Sequence, residues 1–218
     1  MKMNNFANVG FHPISIIGYL QCDLPYHVVA CIEKEVQEML DSNFQSANSY
    51  KEKLAGAIEQ EYRIYESTHL LEKFIQEVVP VYWKSVGNHE RVNDHHIIRV
   101  NEGQKDIWVN FCKKGEYNPL HTHSGLLSFV LWYKMPFIIE DEKNLPIVNV
   151  GTVNTGACFQ FNFLEMDSKG AIGQHTIEAD RSYENKMIIF PSNLQHSVYP
   201  FFTSDDYRIS LSGNIEVP

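Results

Sequence analysis

The chain of 218 residues, 44% of them hydrophobic, is long enough for one sizeable domain but short for two unrelated ones. Its formal net charge of -9 argues against a broad basic surface for nucleic acid or anionic lipid. The first residues lack the apolar core of a signal peptide, and no stretch approaches the roughly 20 apolar residues of a membrane helix, so we expect a cytoplasmic protein.

The first 94 residues are predicted to be mainly helical. Residues 14–20 favour a short strand, after which Asp23 can cap a helix whose apolar stripe begins at Val28 and recurs every fourth residue. A longer helix carries apolar residues at helical spacing over residues 70–83, with Ser67 as its predicted cap. We expect both helices to back a sheet.

Two further features of this region bear on the helices. Pro80 lies inside the second helical pattern and predicts a kink or a break there, and the helix should end near Gly87. Before that helix, the spacing of Leu54, Ile58 and Tyr62 predicts an additional short helix.

From residue 95 onward the pattern changes to short strands. Clusters of Gly, Asn, Pro and Asp separate the predicted strands, which are residues 97–100, 107–111, 126–133, 157–163, 174–177, 186–190 and 207–215. Many short strands at this spacing indicate a jelly roll or a similar double-sheet barrel, so the fold class is mainly β with α. We predict one domain over residues 1–218, with a helical part (1–94) and a barrel core (95–218).

Residues 136–155 form the longest segment without a sustained pattern. Loops of this length in compact domains are usually functional or mobile. We hypothesise a lid or substrate loop here, the alternative being a plain solvated excursion.

The four cysteines, at positions 22, 31, 112 and 158, have no CxxC spacing. Each lies within or beside an apolar segment, which predicts buried free thiols. No functional role is assigned to them.

Candidate metal ligands lie at two places in the barrel part. His121 and His123 are one residue apart on an extended segment, and alternate strand side chains point the same way, so both imidazoles can reach one ion. Two half-exposed strand histidines are the plainer interpretation. A third histidine, His196, follows a turn-prone segment.

Twelve residues after His196, the last strand alternates in polarity. Arg208, Ser210 and Ser212 share one face, and Ile209 and Leu211 share the other. An edge strand with its polar face in water would show this pattern. In a small barrel with a ligand cavity, the polar face instead lines the cavity.

These motifs, in this order, resemble the Fe(II)- and 2-oxoglutarate-dependent oxygenases, and most closely a subset from marine bacteria and their phages. The resemblance covers the chain from about residue 12 to its end. It rests on LAGAI (54–58), EY (61–62), WVNF (108–111), NPLHTHSG (118–125), LSFV (127–130), FPS (190–192) with His196, and RISLSGN (208–214). The fold that the resemblance implies is a double-stranded β-helix.

The resemblance implies that Fe(II) is held by His121, His123 and His196, with no catalytic side chain beyond these ligands. Most of the superfamily has Asp or Glu where this chain has His123, so a site of three imidazoles would keep a formal charge of +2. His123 could instead lie outside the ligand set, which would leave the third position to water or to an acid such as Glu116.

The resemblance also implies a binding site for the cosubstrate 2-oxoglutarate. Its far carboxylate would be bound by Arg208, whose planar guanidinium suits a carboxylate, and by Ser210 on the same face. Tyr133 resembles in position a tyrosine that binds this carboxylate in prolyl-hydroxylase-like relatives, although a core aromatic is an equal alternative.

Two other functions remain alternatives. A metal-binding cupin would explain His121 and His123 after Gly115, but the acid it needs falls at Leu127 or Ser128, and it gives Arg208 no role. A non-catalytic jelly-roll binder would make the histidines incidental.

If the chain is an oxygenase, its partners are 2-oxoglutarate, O2 and a primary substrate, either a protein side chain or a small molecule. The sequence does not identify that substrate. A homodimer is compatible with it, and neither nucleic acid nor a membrane is expected as a partner.

Overall fold

The computed structural model describes residues 9–12, 18–150, 152–164 and 172–218, so the predicted strand at residues 14–20 lies largely outside the described residues. The helices are α1 (Tyr26–Asp41), α2 (Thr68–Ser85) and α3 (Ile139–Lys143). The strands are β1 (Gly10–His12), β2 (Tyr19–Asp23), β3 (Gln60–Arg63), β4 (Ile97–Ile98), β5 (Val100–Asn101), β6 (Gln104–Lys105), β7 (Ile107–Cys112), β8 (Asn118–His121), β9 (Leu127–Lys134), β10 (Phe159–Phe163), β11 (Gly173–Ile177), β12 (Lys186–Pro191), β13 (Gln195–Val198) and β14 (Arg208–Glu216).

Two antiparallel sheets form the body of the fold, which is the predicted double-stranded β-helix with helices against it. The larger sheet has the order β1-β2-β12-β9-β14-β7-β3, with β4 paired to the end of β14. The smaller sheet has the order β11-β10-β13-β8. The part before residue 94, predicted as mainly helical, also supplies β2 and β3, which pair with β12 and β7 of the barrel.

One apolar core lies between the helices and the larger sheet. In α1 the buried residues include Val28, Ile32 and Val36, which recur every fourth position and so form one face. The apolar face of α2 and the strand residues Leu131 and Leu211 join the same core. The prediction that the two helices back a sheet is confirmed.

A second apolar core lies between the two sheets. Trp132 of β9, Phe190 of β12, and Phe159 and Phe161 of β10 are buried here. Strands β2, β9 and β12 therefore contribute one set of alternate residues to the helix-side core and the other set to the inter-sheet space.

The start of α2 is stabilised by a residue of α1 rather than by its own cap. Ser67 occupies the cap position, but its side chain makes no capping bond to α2. The buried Glu35 carboxylate instead accepts the backbone N–H groups of Tyr65, Glu66 and Ser67 at 2.5 to 3.0 Å. The Ser67 hydroxyl also donates to it, at 2.6 Å. The carboxylate thus satisfies N–H groups at the helix start, where negative charge is favourable.

Several local predictions before residue 90 need correction. Asp23 does not cap α1, because it belongs to β2 and no side chain caps α1. The short helix predicted from Leu54, Ile58 and Tyr62 is absent from this described segment. Tyr62 lies in β3 instead, where Glu61 and Tyr62 pair with Asn110 and Val109. Propensity was overridden here by pairing with the barrel.

The break predicted at Pro80 does not occur, since α2 continues through it to Ser85. Gly87 follows the helix with a φ of 74°, which suits glycine and marks the predicted end.

Residues 136–155 were hypothesised to form a lid or substrate loop. Within the described part of this segment, α3 is anchored by the buried Glu142, which accepts the backbone N–H groups of Phe202 and Thr203. No residue from this part lines the cavity described below.

None of the helices in the described part of the chain has the length and apolar content needed to cross a bilayer.

Candidate functional site

Three histidines meet where β8 and β13 pair in the smaller sheet. His121 ends β8 and lies directly opposite His196 of β13. His123 follows two residues later, where its backbone N–H donates to the Ser192 carbonyl at 2.8 Å. Each imidazole presents one nitrogen to the others, and the three nitrogens lie within 4.8 Å of one another. Strand pairing thus brings together His121 and His196, which are 75 residues apart in the sequence.

Backbone carbonyls fix the orientation of two of these rings. Nδ1 of His121 lies 2.7 Å from the Pro119 carbonyl, and Nδ1 of His196 lies 2.9 Å from the Leu194 carbonyl. A carbonyl only accepts, so Nδ1 carries the proton in both rings and Nε2 keeps its lone pair. Such a second bond is how proteins usually orient a histidine that binds a metal.

Aromatic rings pack against two of the histidines. Trp108 of β7 lies beside His123, with 5.5 Å between ring centroids. Phe159 of β10 stacks on His196 at 5.4 Å and an interplanar angle of 15°. The rings are therefore held in place by packing as well as by hydrogen bonds.

All three histidines are kept neutral by their surroundings. Burial lowers the pKa of His123 to about 3, with a further contribution from His121. Burial lowers the pKa of His196 well below its ordinary value, and it lowers that of His121 despite the opposing bond to Pro119. Neutral imidazoles are the form that binds metal ions.

The histidines line a cavity of about 140 Å³ between the two sheets. On the other side of the cavity, β7 contributes Trp108, Asn110 and Cys112, and β14 contributes Ser212, Ser210 and Arg208. These residues are paired across the two strands as Trp108 with Ser212, Asn110 with Ser210, and Cys112 with Arg208. Since His123 lies beside Trp108, and a strand rises about 3.3 Å per residue, Cys112 and Arg208 lie roughly 13 Å further along. The cavity is elongated.

Arg208 occupies the end of this cavity and is only 3% exposed. Its guanidinium donates to the Tyr199 carbonyl at 3.0 Å and to Sγ of Cys112 at 3.1 Å. Burial raises the pKa of the Cys112 thiol, although Arg208 opposes the shift, so the sulfur is not an anionic partner at neutral pH. Among the described residues, no carboxylate forms an ion pair with Arg208.

Tyr133 does not line the cavity, which favours the alternative of a core aromatic over the cosubstrate role predicted for it. Its ring packs at the edge of the helix-side core, beside Val29 and Glu33 of α1. The reason is the alternation of strand side chains: Trp132 pairs with Ser210 and faces the cavity, so the next residue, Tyr133, faces the helix side. A β-bulge follows, because Ile209 pairs with Lys134, and it leaves Tyr133 without a pairing partner on β14.

Glu116, the alternative acid, is not part of the histidine group either. Its carboxylate accepts backbone N–H groups, from Glu59 at 3.0 Å and from Lys113 at 2.7 Å. Within the described chain, the group of potential metal ligands at this place contains only imidazoles.

The cavity residues that the sequence gave no role include Cys112, Asn110 and Glu61. Asn110 and Glu61 belong to motifs that carried the family resemblance, and Cys112 lies one residue beyond one of them. The signal for Asn110 and Cys112 was their period-two relation to Trp108, but which face of β7 meets the cavity depends on its pairing with β14.

The donors at this site fit a divalent transition metal. Three neutral imidazole nitrogens suit iron as well as zinc, copper or nickel, so the donor set by itself leaves the metal open. The Arg208 guanidinium at the other end of the cavity, which has no carboxylate partner among the described residues, can bind the far end of an anion that reaches the metal.

Comparisons with known proteins narrow the choice of metal. Residues 106–214, half of the chain, match the family described as "Putative 2OG-Fe(II) oxygenase". A prolyl-4-hydroxylase from Pseudomonas putida is similar in structure, with a TM-score of 0.54 and 13% identity, over 93% of this chain and 94% of that one. The non-haem alpha-ketoglutarate-dependent epimerase SnoN of nogalamycin biosynthesis has a TM-score of 0.50 and 11% identity, over 92% of this chain and 77% of that one. No curated protein sequence matches the chain.

At such low identity, the two solved structures establish the fold, while the family match includes the segments that carry the three histidines and Arg208. The metal and cosubstrate of this family are Fe(II) and 2-oxoglutarate, and the imidazole cluster fits an iron site. The chain belongs to the 2OG-Fe(II) oxygenase family.

Proposed function

We propose that the protein is a hydroxylase-type oxygenase in which His121, His123 and His196 hold Fe(II), while Arg208 and Ser210 bind the far carboxylate of 2-oxoglutarate. Fe(II) held by these histidines would supply O2 activation, in which 2-oxoglutarate is converted to succinate and carbon dioxide while a C–H bond of a primary substrate is hydroxylated. The protein supplies geometry, charge and exclusion of water.

The observation that carries this proposal is a buried cation without an acidic partner, in the same cavity as three converging imidazoles. A buried charge is costly unless it is paired, and the bonds from Arg208 to Tyr199 and Cys112 leave guanidinium N–H groups available. A carboxylate bound here would receive two parallel N–H bonds. The elongated cavity gives a five-carbon diacid room to reach from the histidines to Arg208.

Ser210 and Ser212 extend the polar side of the cavity between these two ends. Their hydroxyl groups can donate to cosubstrate oxygens, since neither hydroxyl is committed to a described partner. With three neutral ligands in place of two imidazoles and a carboxylate, the iron would keep a formal charge of +2. That should strengthen its attraction for the dianionic cosubstrate.

Anaerobic titration of metal-free protein with Fe(II), and then with 2-oxoglutarate, tests the proposal. We expect the weak visible charge-transfer band of the metal–keto acid chelate to appear, and to require both additions. A cupin that binds metal without the cosubstrate, or an inert jelly-roll binder, gives no such band. Its absence at saturating Fe(II) would refute the proposal.

The other predictions made from the sequence are part of this proposal. They are a single domain over residues 1–218, a cytoplasmic location, and O2 together with a protein side chain or small molecule as reaction partners. A homodimer and the absence of a nucleic-acid partner are likewise predictions, and size-exclusion chromatography with light scattering tests the first.

A further inference from the structure

The most unusual polar group outside the proposed iron and cosubstrate sites is the carboxyl group of Glu61. Glu61 lies on β3, lines the same cavity, and is only 2% exposed. Its Oε2 is fully buried, with no hydrogen-bond partner among the described residues. Such a group is costly to leave unsatisfied, so a buried carboxyl oxygen facing a cavity indicates a missing ligand.

Glu61 continues the polar row on the cavity side of the larger sheet. It pairs with Asn110 of β7, which in turn pairs with Ser210 of β14. Asn110 is 4% exposed, and its Oδ1 is also buried without a partner among the described residues. Neighbouring strands lie about 4.8 Å apart, so one small group can contact both Glu61 and Asn110.

The segment before β3 closes over this position. Residues 53–56 and Ile58 line the cavity beside Glu61. A Cβ atom at Gly56 would lie 2.7 Å from Oε1 of Glu61 and 2.6 Å from Oδ1 of Asn118, so a larger residue would displace both side chains. The segment therefore covers Glu61, whereas the described part of residues 136–155 lies away from the cavity.

The chemistry at Glu61 favours a ligand other than the cosubstrate. 2-Oxoglutarate is a dianion, which the ionised carboxylate would repel and to which the protonated carboxyl could donate only one hydrogen bond. The Lys53 amino group at the cavity edge is already paired with Glu102, at 3.0 Å. Glu61 thus needs a ligand that donates hydrogen bonds, and a second acceptor on Asn110 favours a group with several N–H donors.

We propose that Glu61, together with Asn110, binds a protonated amine or guanidinium group of the primary substrate. This inference rests on the proposed function and names the substrate class for it: a compound or side chain with a cationic nitrogen, oxidised at a carbon nearby. The group can come from a free small amine or from a lysine or arginine side chain of a peptide.

The charge environment agrees with this assignment. Burial raises the pKa of Glu61 to about 7, with Lys51 opposing the shift and Glu116 adding to it. A cationic ligand would restore the ionised carboxylate and make a charge-assisted hydrogen bond.

Calorimetric titration under anaerobic conditions, with Fe(II) and 2-oxoglutarate present, tests the proposal. The free probes are agmatine and n-pentylamine, with n-pentanol as the neutral match. The peptide probe is acetyl-Gly-Lys-Gly-amide, with its norleucine analogue as the neutral match. We expect at least one cationic probe to bind at least 10-fold more tightly than its neutral match, and the arm in which this occurs identifies the source.

Glu61→Gln should abolish that preference, while the matched control Glu59→Gln, an exposed residue paired with Lys113, should keep it. Glu61→Asp, which retracts the carboxylate by one methylene, should show an intermediate preference. Because Oε2 has no described partner to lose, Glu61→Gln should not lower the melting temperature. A lower melting temperature would indicate a structural role and count against the proposal.

The proposal is overturned if no cationic probe binds better than its neutral match, or if Glu61→Gln binds the cationic probes as wild type does. The chelate band, recorded on the same samples, reports separately on the proposed function. If the band is present and the amine preference is absent, only the substrate assignment fails. If the band is absent, the proposed function itself fails.

Discussion

The two faces of the larger sheet are built from the same strands but serve different ends. On β14, Leu211 faces the helices and is 0% exposed, and Arg208 faces the cavity and is 3% exposed. Burial therefore does not distinguish them. What differs is whether the buried group is fully satisfied: Leu211 contacts apolar side chains, whereas the Arg208 guanidinium has hydrogen-bond partners but no acid beside it among the described residues. A buried charge without a counter-charge indicates function, and a satisfied group indicates stability.

The largest effect on cosubstrate affinity is expected from a substitution on the cavity face of the sheet. Replacing Arg208 by Ala leaves the far carboxylate of 2-oxoglutarate without its cation, so we expect cosubstrate binding to weaken by about 2 to 5 kcal/mol. Anaerobic titration of the Fe(II) protein with 2-oxoglutarate measures this. Arg208→Lys keeps the charge but loses the planar fork, and it should fall in between.

Arg99→Ala is the matched control for Arg208, because Arg99 lies outside the cavity and pairs with Glu216 at 3.9 Å. Its affinity for 2-oxoglutarate should equal that of wild type. Equal affinity in Arg208→Ala, once circular dichroism shows a folded protein, would remove Arg208 from the cosubstrate site.

On the helix face of the sheet, a substitution should lower stability and leave ligand affinity unchanged. Leu211→Ala removes a fully buried side chain from the helix-side core, and we expect the free energy of unfolding to fall by about 3 kcal/mol. Urea denaturation measures the loss. Fe(II) and 2-oxoglutarate affinities of the folded variant should stay unchanged, and a selective loss of cosubstrate affinity would contradict the division between faces.

Tyr133→Phe should have the smallest effect. The hydroxyl lies at the helix side of the sheet rather than in the cavity, so we expect the 2-oxoglutarate affinity to change by less than about 0.5 kcal/mol. The same anaerobic titration is the measurement. A clear loss of affinity would show that Tyr133 reaches the cosubstrate, contrary to its position on the helix side of β9.

Long elements with a regular side-chain period were easier to predict than the short segments that connect them. The apolar stripes of α1 and α2 and the alternation in β14 follow from local side-chain periodicity, which the sequence contains in full. The short helix expected around Ile58 failed because β3 gains more from pairing with β7 than from its own helical preference. The prediction that Asp23 caps α1 was wrong because Asp23 belongs to β2, where it pairs with Lys186 of β12.

In the candidate site, too, some features follow from local sequence patterns and others do not. The sequence by itself determined which residue types are available and which share a face: two histidines one residue apart, and Arg208 with Ser210 and Ser212. These relations depend on a period of two and on chain order, and both are local.

Only the tertiary structure decided which of these groups meet. Pairing of β8 with β13 places His196 opposite His121, and pairing of β3 with β7 places Glu61 in the cavity. Pairing of Trp132 with Ser210 gives Trp132 the cavity-facing position on β9, so Tyr133 faces the helices. Each outcome depends on strand register between distant segments, and a shift of one residue exchanges the two faces of a strand, so no local pattern could have fixed it.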